Sequence, residues 1–370
     1  MMTIQELCTF IYTHPELGFN EFEAARIQKE FLEERGFTVS FPYSEKLKTA
    51  FRSEFANGDG PTVIFMSEYD ALKGLGHACG HNLIAAAALK AFTDTVEIMR
   101  KNDIKGKIVL LGTPAEEGYG GKCYLINEHA FDNADIALIS HPFEVAGIGP
   151  STMGISHLQV EFFGKSAHAS MAPEYGLNAL DAMISFFNAV GLYRQRMAKS
   201  CQIHGVITDG GKAPNIIPDY TKALFYTRSH IHADHKKIDE DFIHMAEGAA
   251  MSAGCTYKVS NSSPRYEPSK SVPALEKVLA EEMQNSGLKL SEITLRLSSD
   301  FGNVANVLPT ANVFFPVSEN SLPKLHTTEF YEASGTQYAF EQAMKAGEAL
   351  AKTAVKYLTD SALRQAVKEN

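Results

Sequence analysis

The stretch KIVLLGTPAEEGYGG, residues 107–121, decides how this chain folds: an unbroken aliphatic run ends in two adjacent carboxylates and a cluster of glycines. A run with no polar alternation belongs to a strand covered on both faces, the situation of parallel sheets packed between helices. Three other runs share its character: PTVIFMS at 61–67, ADIALIS at 134–140 and ANVFFPV at 311–317. Helical segments separate them, among them Leu83 to Met99. Ahead of all four runs, the first helix is announced by NEFEAARIQKEFLEERGF, where Asn20 is placed to cap, Glu23 to complete a capping box and Gly36 to stop the helix. The expectation is an α/β fold, a mostly parallel sheet with helices on both faces.

Between residues 153 and 263 the rhythm changes. Strand 155–163, helix 177–196, strands 201–208 and 219–228, helix 234–252 and strand 255–261 give the order β-α-β-β-α-β, which is self-contained and ferredoxin-like. With core elements on either side belonging to one sheet, residues 153–263 are expected to form an inserted α+β domain, and residues 1–152 and 264–370 the two parts of the main domain. Both junctions, 149–154 and 262–271, are rich in Gly, Pro or Ser.

Composition excludes several classes of function. With 45% hydrophobic and 21% charged residues, the 370-residue chain has an ordinary globular balance. A net charge of −10 with no basic stripe leaves no electrostatic footprint for nucleic acid. The N-terminal MMTIQELCTF has no basic segment leading into an apolar one, and no apolar stretch approaches membrane-spanning length. A cytoplasmic protein without a membrane partner is expected. Its 5 cysteines are odd in number and scattered, which argues against a disulfide framework; four are expected as small buried apolar residues.

Cys79 is the exception, because GLGHACGHN (74–82) sets it beside His81 just before an alanine-rich helix. A thiol and an imidazole two residues apart in a glycine-bearing turn can face one point, and the helix N-terminus is expected to lower the thiol pKa, which suits a Zn²⁺-like ion. Each core run is likewise followed by groups of metal or proton chemistry: Glu68 and Asp70, Glu116 and Glu117, His141, and His326. Carboxyl ends of parallel strands line one crevice, so side chains remote in sequence can converge there. In extended backbone Glu116 and Glu117 point opposite ways, so that one binds metal while the other faces water as a general base. His77 is assigned to support, and Cys79 is the bridging candidate for a pair of ions. Taken singly, each residue has a plainer alternative: a buried cysteine, a solvated acidic loop, a core or surface histidine. Their shared location favours a site.

These residues resemble a known group. EYDALKGLGHACGHN (68–82), GTPAEEGYGGK (112–122), SHP (140–142), GKSAHAS (164–170) followed by GLNALDA (176–182), and APNIIPDYTKALFYTRS (213–229) are similar to motifs of the metal-dependent amidohydrolases of the aminoacylase and carboxypeptidase superfamily. The branch resembled is that of aminobenzoyl-glutamate hydrolase and the indole-acetyl-amino-acid hydrolases, and the likeness runs from HPELGF at 14 to HTTEF at 326. It implies a catalytic α/β domain holding two divalent ions, Zn or Mn, and a ferredoxin-like lid that also makes a homodimer. It implies Cys79, His81, Glu117, His141 and His326 as metal ligands, Glu116 as general base and Asp70 as the carboxylate orienting the metal centre. His168 would stabilise the oxyanion, and Asn215 and Arg228 would hold a substrate carboxylate.

The implied reaction is hydrolysis of an amide in an N-acyl or N-aroyl amino acid or small dipeptide by a metal-activated water. Alternatives are C–N cleavage of a non-peptide amide or arylamine, a ligand-binding homologue without turnover, or Cys79 as a thiol nucleophile with His81 as base. The segment SHIHADHKK (229–237) departs from the pattern: His230, His232 and His235 have no family role and are expected as solvated residues at a helix start.

Overall fold

The computed structural model describes residues 1–149, 152–293 and 297–369, so residues 150 and 151 of the first expected junction lie outside the described ones. The described strands are β1 (Val39–Ser40), β2 (Arg52–Ala56), β3 (Thr62–Ser67), β4 (Lys107–Gly112), β5 (Ile136–Phe143), β6 (Gly147–Ile148), β7 (Gly154–Phe163), β8 (Cys201–Asp209), β9 (Tyr220–Ser229), β10 (Thr256–Asn261) and β11 (Thr310–Pro316). The chain divides into two compact units, one of Met1–Ser151, Lys270–Leu295 and Asn303–Asn370, the other of Thr152–Ser269 and Arg296–Gly302.

In the first unit a seven-stranded sheet runs β1-β2-β4-β3-β5-β11-β6. Its centre, β4-β3-β5-β11, is parallel and consists of the four apolar runs; β2 and β6 join antiparallel at its flanks. Val63, Ile64, Phe65 and Ile108 to Leu111 are fully buried, as residues covered on both faces must be. The helix His81–Asn102 buries Ala85, Ala86, Ala87 and Ala88. It packs on the helix Gln337–Thr359 so closely that a Cβ at Gly347 would stand 2.7 Å from the Ala87 carbonyl oxygen. Small residues on both helices permit that crossing.

One expectation is corrected at the helix Phe22–Glu33. Its cap residue is Glu21, not Asn20, and the carboxylate that accepts its first amides is that of Glu16, from Glu23 N at 3.2 Å and Ala24 N at 2.9 Å. Glu23 pairs with Arg26 at 2.7 Å instead of closing a capping box. Glu21 is unavailable as a cap because its side chain turns inward, where it is fully buried.

The second unit is a four-stranded antiparallel sheet in the order β10-β7-β9-β8, with the helices Ala179–Tyr193 and His232–Ala253 packed on it. Phe186, Phe225 and Phe242 meet edge to face at its centre, the arrangement aromatic quadrupoles favour. His235 is not the solvated residue expected: it is fully buried with Nε2 3.2 Å from Ser156 Oγ, and burial pushes its pKa down to about 3, so it is neutral. The helix begins at His232, ahead of the start that the sequence pattern implies, which places His235 on the inner face. His232 is exposed and meets Glu267 at 2.8 Å. Cys8 and Cys201 are buried as expected, Cys123 and Cys255 only half-buried, and the five cysteines are not in disulfides.

Candidate active site

Because β3, β4, β5 and β11 are parallel, their carboxyl ends deliver the residues that follow them to one edge of the sheet. Glu68 and Asp70 follow β3, Glu116 and Glu117 follow β4, and His141 lies within β5 opposite Phe314 of β11. The turn carrying Cys79 and His81 ends at Gly80, whose φ of +74° is left-handed and whose added Cβ would stand 2.5 Å from Pro142 Cγ. Only glycine fits there, and the fit seats the turn against the neighbour of His141.

His81 is fully buried. Its Nδ1 lies 3.0 Å from Asp70 Oδ1, which fixes the ring and leaves Nε2 3.7 Å from Glu68 Oε2 and 3.8 Å from Glu117 Oε1. His141 donates from Nδ1 to the Pro142 carbonyl at 2.7 Å, so Nε2 is the ring's acceptor, 3.5 Å from Cys79 Sγ. His326 has a left-handed φ of +64°; its amide donates to the Ala78 carbonyl at 3.0 Å and its Nε2 stands 3.7 Å from Glu117 Oε1. A left-handed histidine is held against its preference, as residues at functional sites often are.

Ligand atoms of Cys79, His81 and His141 lie within 4.8 Å of one another, as do those of Cys79, Glu117 and His326, and of His81, Glu116 and Glu117. Two of the groups share Cys79. Donors bound at about 2.0–2.3 Å to one tetrahedral ion stand roughly 3.3–3.8 Å apart, and Cys79 Sγ to His141 Nε2 at 3.5 Å and Glu117 Oε1 to His326 Nε2 at 3.7 Å fall in that range. Glu68 Oε2, His81 Nε2 and Glu117 Oε1 are buried without a hydrogen-bond partner. Orphaned polar atoms gathered within 3.8 Å of His81 Nε2 are costly to bury unless a cation joins them, so these residues fit a divalent metal.

The electrostatics are those of a centre whose charge balance calls for a cation: burial lowers the His81 imidazole, but Cys79, then Asp70, raise it well above its ordinary range, and a dication would take the place of that proton. Burial, then the Glu117 carboxylate, push the Cys79 thiol well up, the reverse of the shift expected from the helix N-terminus. Desolvation outweighs the dipole once the thiol is enclosed beside an acid, and a dication would restore the thiolate. Burial pushes His141 down to about 4, keeping it neutral as a ligand must be. Burial also raises Glu117.

The opposite orientation expected of Glu116 and Glu117 does not occur; both carboxylates approach His81. Ala115 has φ +60°, so the backbone leaves strand geometry just before the pair. Two buried groups have no role legible in the sequence. Lys122 Nζ lies 2.5 Å from Glu68 Oε1 with both side chains enclosed. Burial alone would raise Glu68, but Lys122, then His81 and His141, hold it below the ordinary carboxylate range. The lysine of GGK immediately after the acidic loop is the available signal. Glu21 is the other.

In the second unit, His168 and Asn215 come together: His168 bridges Ile216, and Ala169 N donates to the Asn215 carbonyl at 3.0 Å. His168 is exposed, and its Nδ1 accepts from Ser170 N and Met171 N at 3.3 Å, which leaves the ring proton on Nε2. Arg228 is not brought to them. It pairs with Ile155 at the start of β7, whereas His168 follows the end of β7, where Phe163 pairs with Tyr220. Tyr220 to Arg228 along β9 is about 26 Å at roughly 3.3 Å per residue. Arg228 donates to Ser298 Oγ at 3.0 Å and lies over the Tyr226 ring.

Residues 151–252 match the model of a peptidase dimerisation domain of the M20 family. The structure resembles that of a dinuclear metal-binding M20 peptidase from Bacillus subtilis, with TM-score 0.68 and 19% identity over 92% of this chain and 96% of that one. The Xaa-Arg dipeptidase of Homo sapiens is 34% identical over 383 residues, covering 97% of this chain and 86% of its own length. This chain belongs to the M20 metallopeptidase family. A p-aminobenzoyl-glutamate hydrolase from Escherichia coli is a further M20 relative, 27% identical over 96% of this chain and 89% of its own. As a member of the M20 family, the chain is a metal-dependent amidohydrolase, in line with the resemblance read from its motifs. The mostly parallel sheet with a separate antiparallel unit is the M20 fold.

Proposed function

We propose that this M20 hydrolase cleaves the amide of an N-acyl or N-aroyl amino acid or a small dipeptide with a free carboxylate, using two divalent ions held by five side chains. The observation that supports it most is the pair of ligand groups sharing Cys79, with the orphaned atoms of His81 and Glu117 directed into them. Cys79, His81 and His141 would hold one ion; Cys79, Glu117 and His326 the other. Thiolate and imidazole favour Zn²⁺, while the carboxylates also accept Mn²⁺. The ions, when bound, supply an acidified water and polarise the amide carbonyl. Glu116 takes the water's proton and returns it to the leaving nitrogen. Asp70 fixes the His81 ring, and His168 donates from Nε2–H to the developing oxyanion. The relatives act on Xaa-Arg dipeptides and p-aminobenzoyl-glutamate by their names, both amides next to a carboxylate.

The test is elemental analysis of purified protein with a panel of acyl-amino acids and dipeptides assayed before and after chelation. Two equivalents of metal, loss of hydrolysis on stripping and its return with Zn²⁺ or Mn²⁺ are expected. Activity surviving exhaustive chelation would favour the Cys79 nucleophile, although a buried thiol pushed upward is poorly suited to attack.

The assembly is a homodimer through the second unit. β8 is an edge strand with Val206 61% and Ile207 43% exposed, and Leu192 of the helix Ala179–Tyr193 is 77% exposed. An apolar edge invites a second copy. With Arg228 remote from His168 and Asn215 in one chain, a substrate held by all of them would draw on two protomers. Val206→Lys combined with Ile207→Lys should give a monomer by sedimentation, with hydrolysis reduced at least tenfold. Five cysteines outside disulfides agree with a cytoplasmic setting, and no described helix is long and apolar enough to cross a membrane.

A further inference from the structure

Glu21 occupies an unusual place. It is the cap residue of the helix Phe22–Glu33, where a short acceptor normally binds the first free amides. Its side chain makes no cap hydrogen bond and is fully buried, and Glu16 serves the helix instead. Both carboxylate oxygens are engaged inside: Oε1 accepts from Ala115 N at 2.7 Å and Oε2 from Thr49 Oγ1 at 2.8 Å. Thr49 is itself held, its carbonyl accepting from the buried Tyr69 hydroxyl at 2.6 Å.

Ala115 precedes Glu116 and has the left-handed φ that turns the acidic pair into the site. Its carbonyl is also tied, accepting from Gly121 N at 2.9 Å. On either side the loop is fastened to other buried acceptors, Thr113 N to the Ser67 carbonyl at 2.7 Å and Glu117 N to Asp70 Oδ2 at 2.8 Å. Alternate amides of residues 113–117 are thus pinned, and the central pin is Glu21. An L-residue adopts left-handed backbone only where its surroundings over-determine it.

We infer that Glu21 is a positioning residue for hydrolysis, fixing the Ala115 backbone so that the Glu116 carboxylate is aimed into the metal-ligand cluster. This rests on Glu116 being the general base. It adds a buried group, from a helix remote in sequence, whose work is done through one backbone amide. Misplacing a general base by a fraction of an ångström lowers turnover without changing how substrate binds.

The test uses the metal-loaded enzyme. Glu21→Met matches the length of glutamate but offers Ala115 no acceptor, whereas Glu21→Gln keeps one. Glu21→Met should lower kcat by about 10- to 100-fold, within the loss general-base misalignment allows. KM, metal content and the visible spectrum of the Co²⁺-substituted protein should remain at parent values. Glu21→Gln should restore kcat to within roughly threefold of the parent. Should Glu21→Met fail to fold, Glu21→Asp carries the test, since one methylene fewer draws the carboxylate away from Ala115, and the same selective loss of kcat is expected. Parent-like kcat in the folded Met or Asp variant overturns the inference; so does an equal loss in Gln and Met, or loss of metal in either. Glu116→Ala measured in parallel separates the two claims. If Glu116→Ala is inactive and Glu21→Met is unimpaired, only the positioning role falls; if Glu116→Ala hydrolyses normally, the base assignment itself is wrong.

Discussion

Glu116→Ala is expected to lose about 10²- to 10⁴-fold in kcat while retaining the parent's metal content, the range that removal of a general base produces. The separation follows from geometry. Glu116 lies in one of the three ligand groups, but neither group that shares Cys79 includes it, so two ions held as proposed would each keep three protein donors when it is gone. Glu116 is half-buried, which leaves its carboxylate within reach of water, whereas Glu117 stands beside His81 and His326 at 3.8 and 3.7 Å. Single-turnover assays and metal analysis on one preparation check it. Simultaneous loss of metal would make Glu116 a ligand, and unchanged kcat would remove it from the mechanism.

Cys79→Ser should have the opposite profile: metal is lost first, and activity follows it. Cys79 is the shared member of two ligand groups, so replacing it weakens both positions at once. The hydroxyl of serine is far harder to deprotonate than a thiol and is a poor ligand for a borderline-soft ion. Weaker metal binding also lowers stability, because an ion bound only to the folded chain contributes about 2.7 kcal/mol when present at 100 times its dissociation constant. Equilibrium dialysis against Zn²⁺ and thermal melts with and without metal measure both effects. A variant retaining two equivalents after dialysis would exclude Cys79 from the centre.

The sheet and most of the site were legible because parallel strands advertise themselves. Runs such as KIVLLG are apolar on both faces, and their ends name the residues that converge, so Glu68, Asp70, Glu116, Glu117, His141 and His326 were visible as a set. Residues that act through backbone were not. Glu21 in NEFE has the composition of a helix start, and nothing in one dimension says that its carboxylate turns inward to Ala115. Lys122 was hidden for a similar reason: a lysine is presumed solvated until a buried partner such as Glu68 is seen. The orientation of Glu116 and Glu117 depended on the left-handed backbone at Ala115, where sequence favours no such turn. Asn215 and Arg228 share a motif but lie toward opposite ends of a sheet, a distance that spacing in sequence understates.

The imidazole of His326 is 51% open to solvent, whereas that of His81 is wholly enclosed. Two cations seated beside these rings would therefore differ in lability: competing chelators meet one through water and the other only through protein. Dilution or mild stripping should yield a half-loaded form that persists, so the stoichiometry of a preparation records its handling history as much as its affinity.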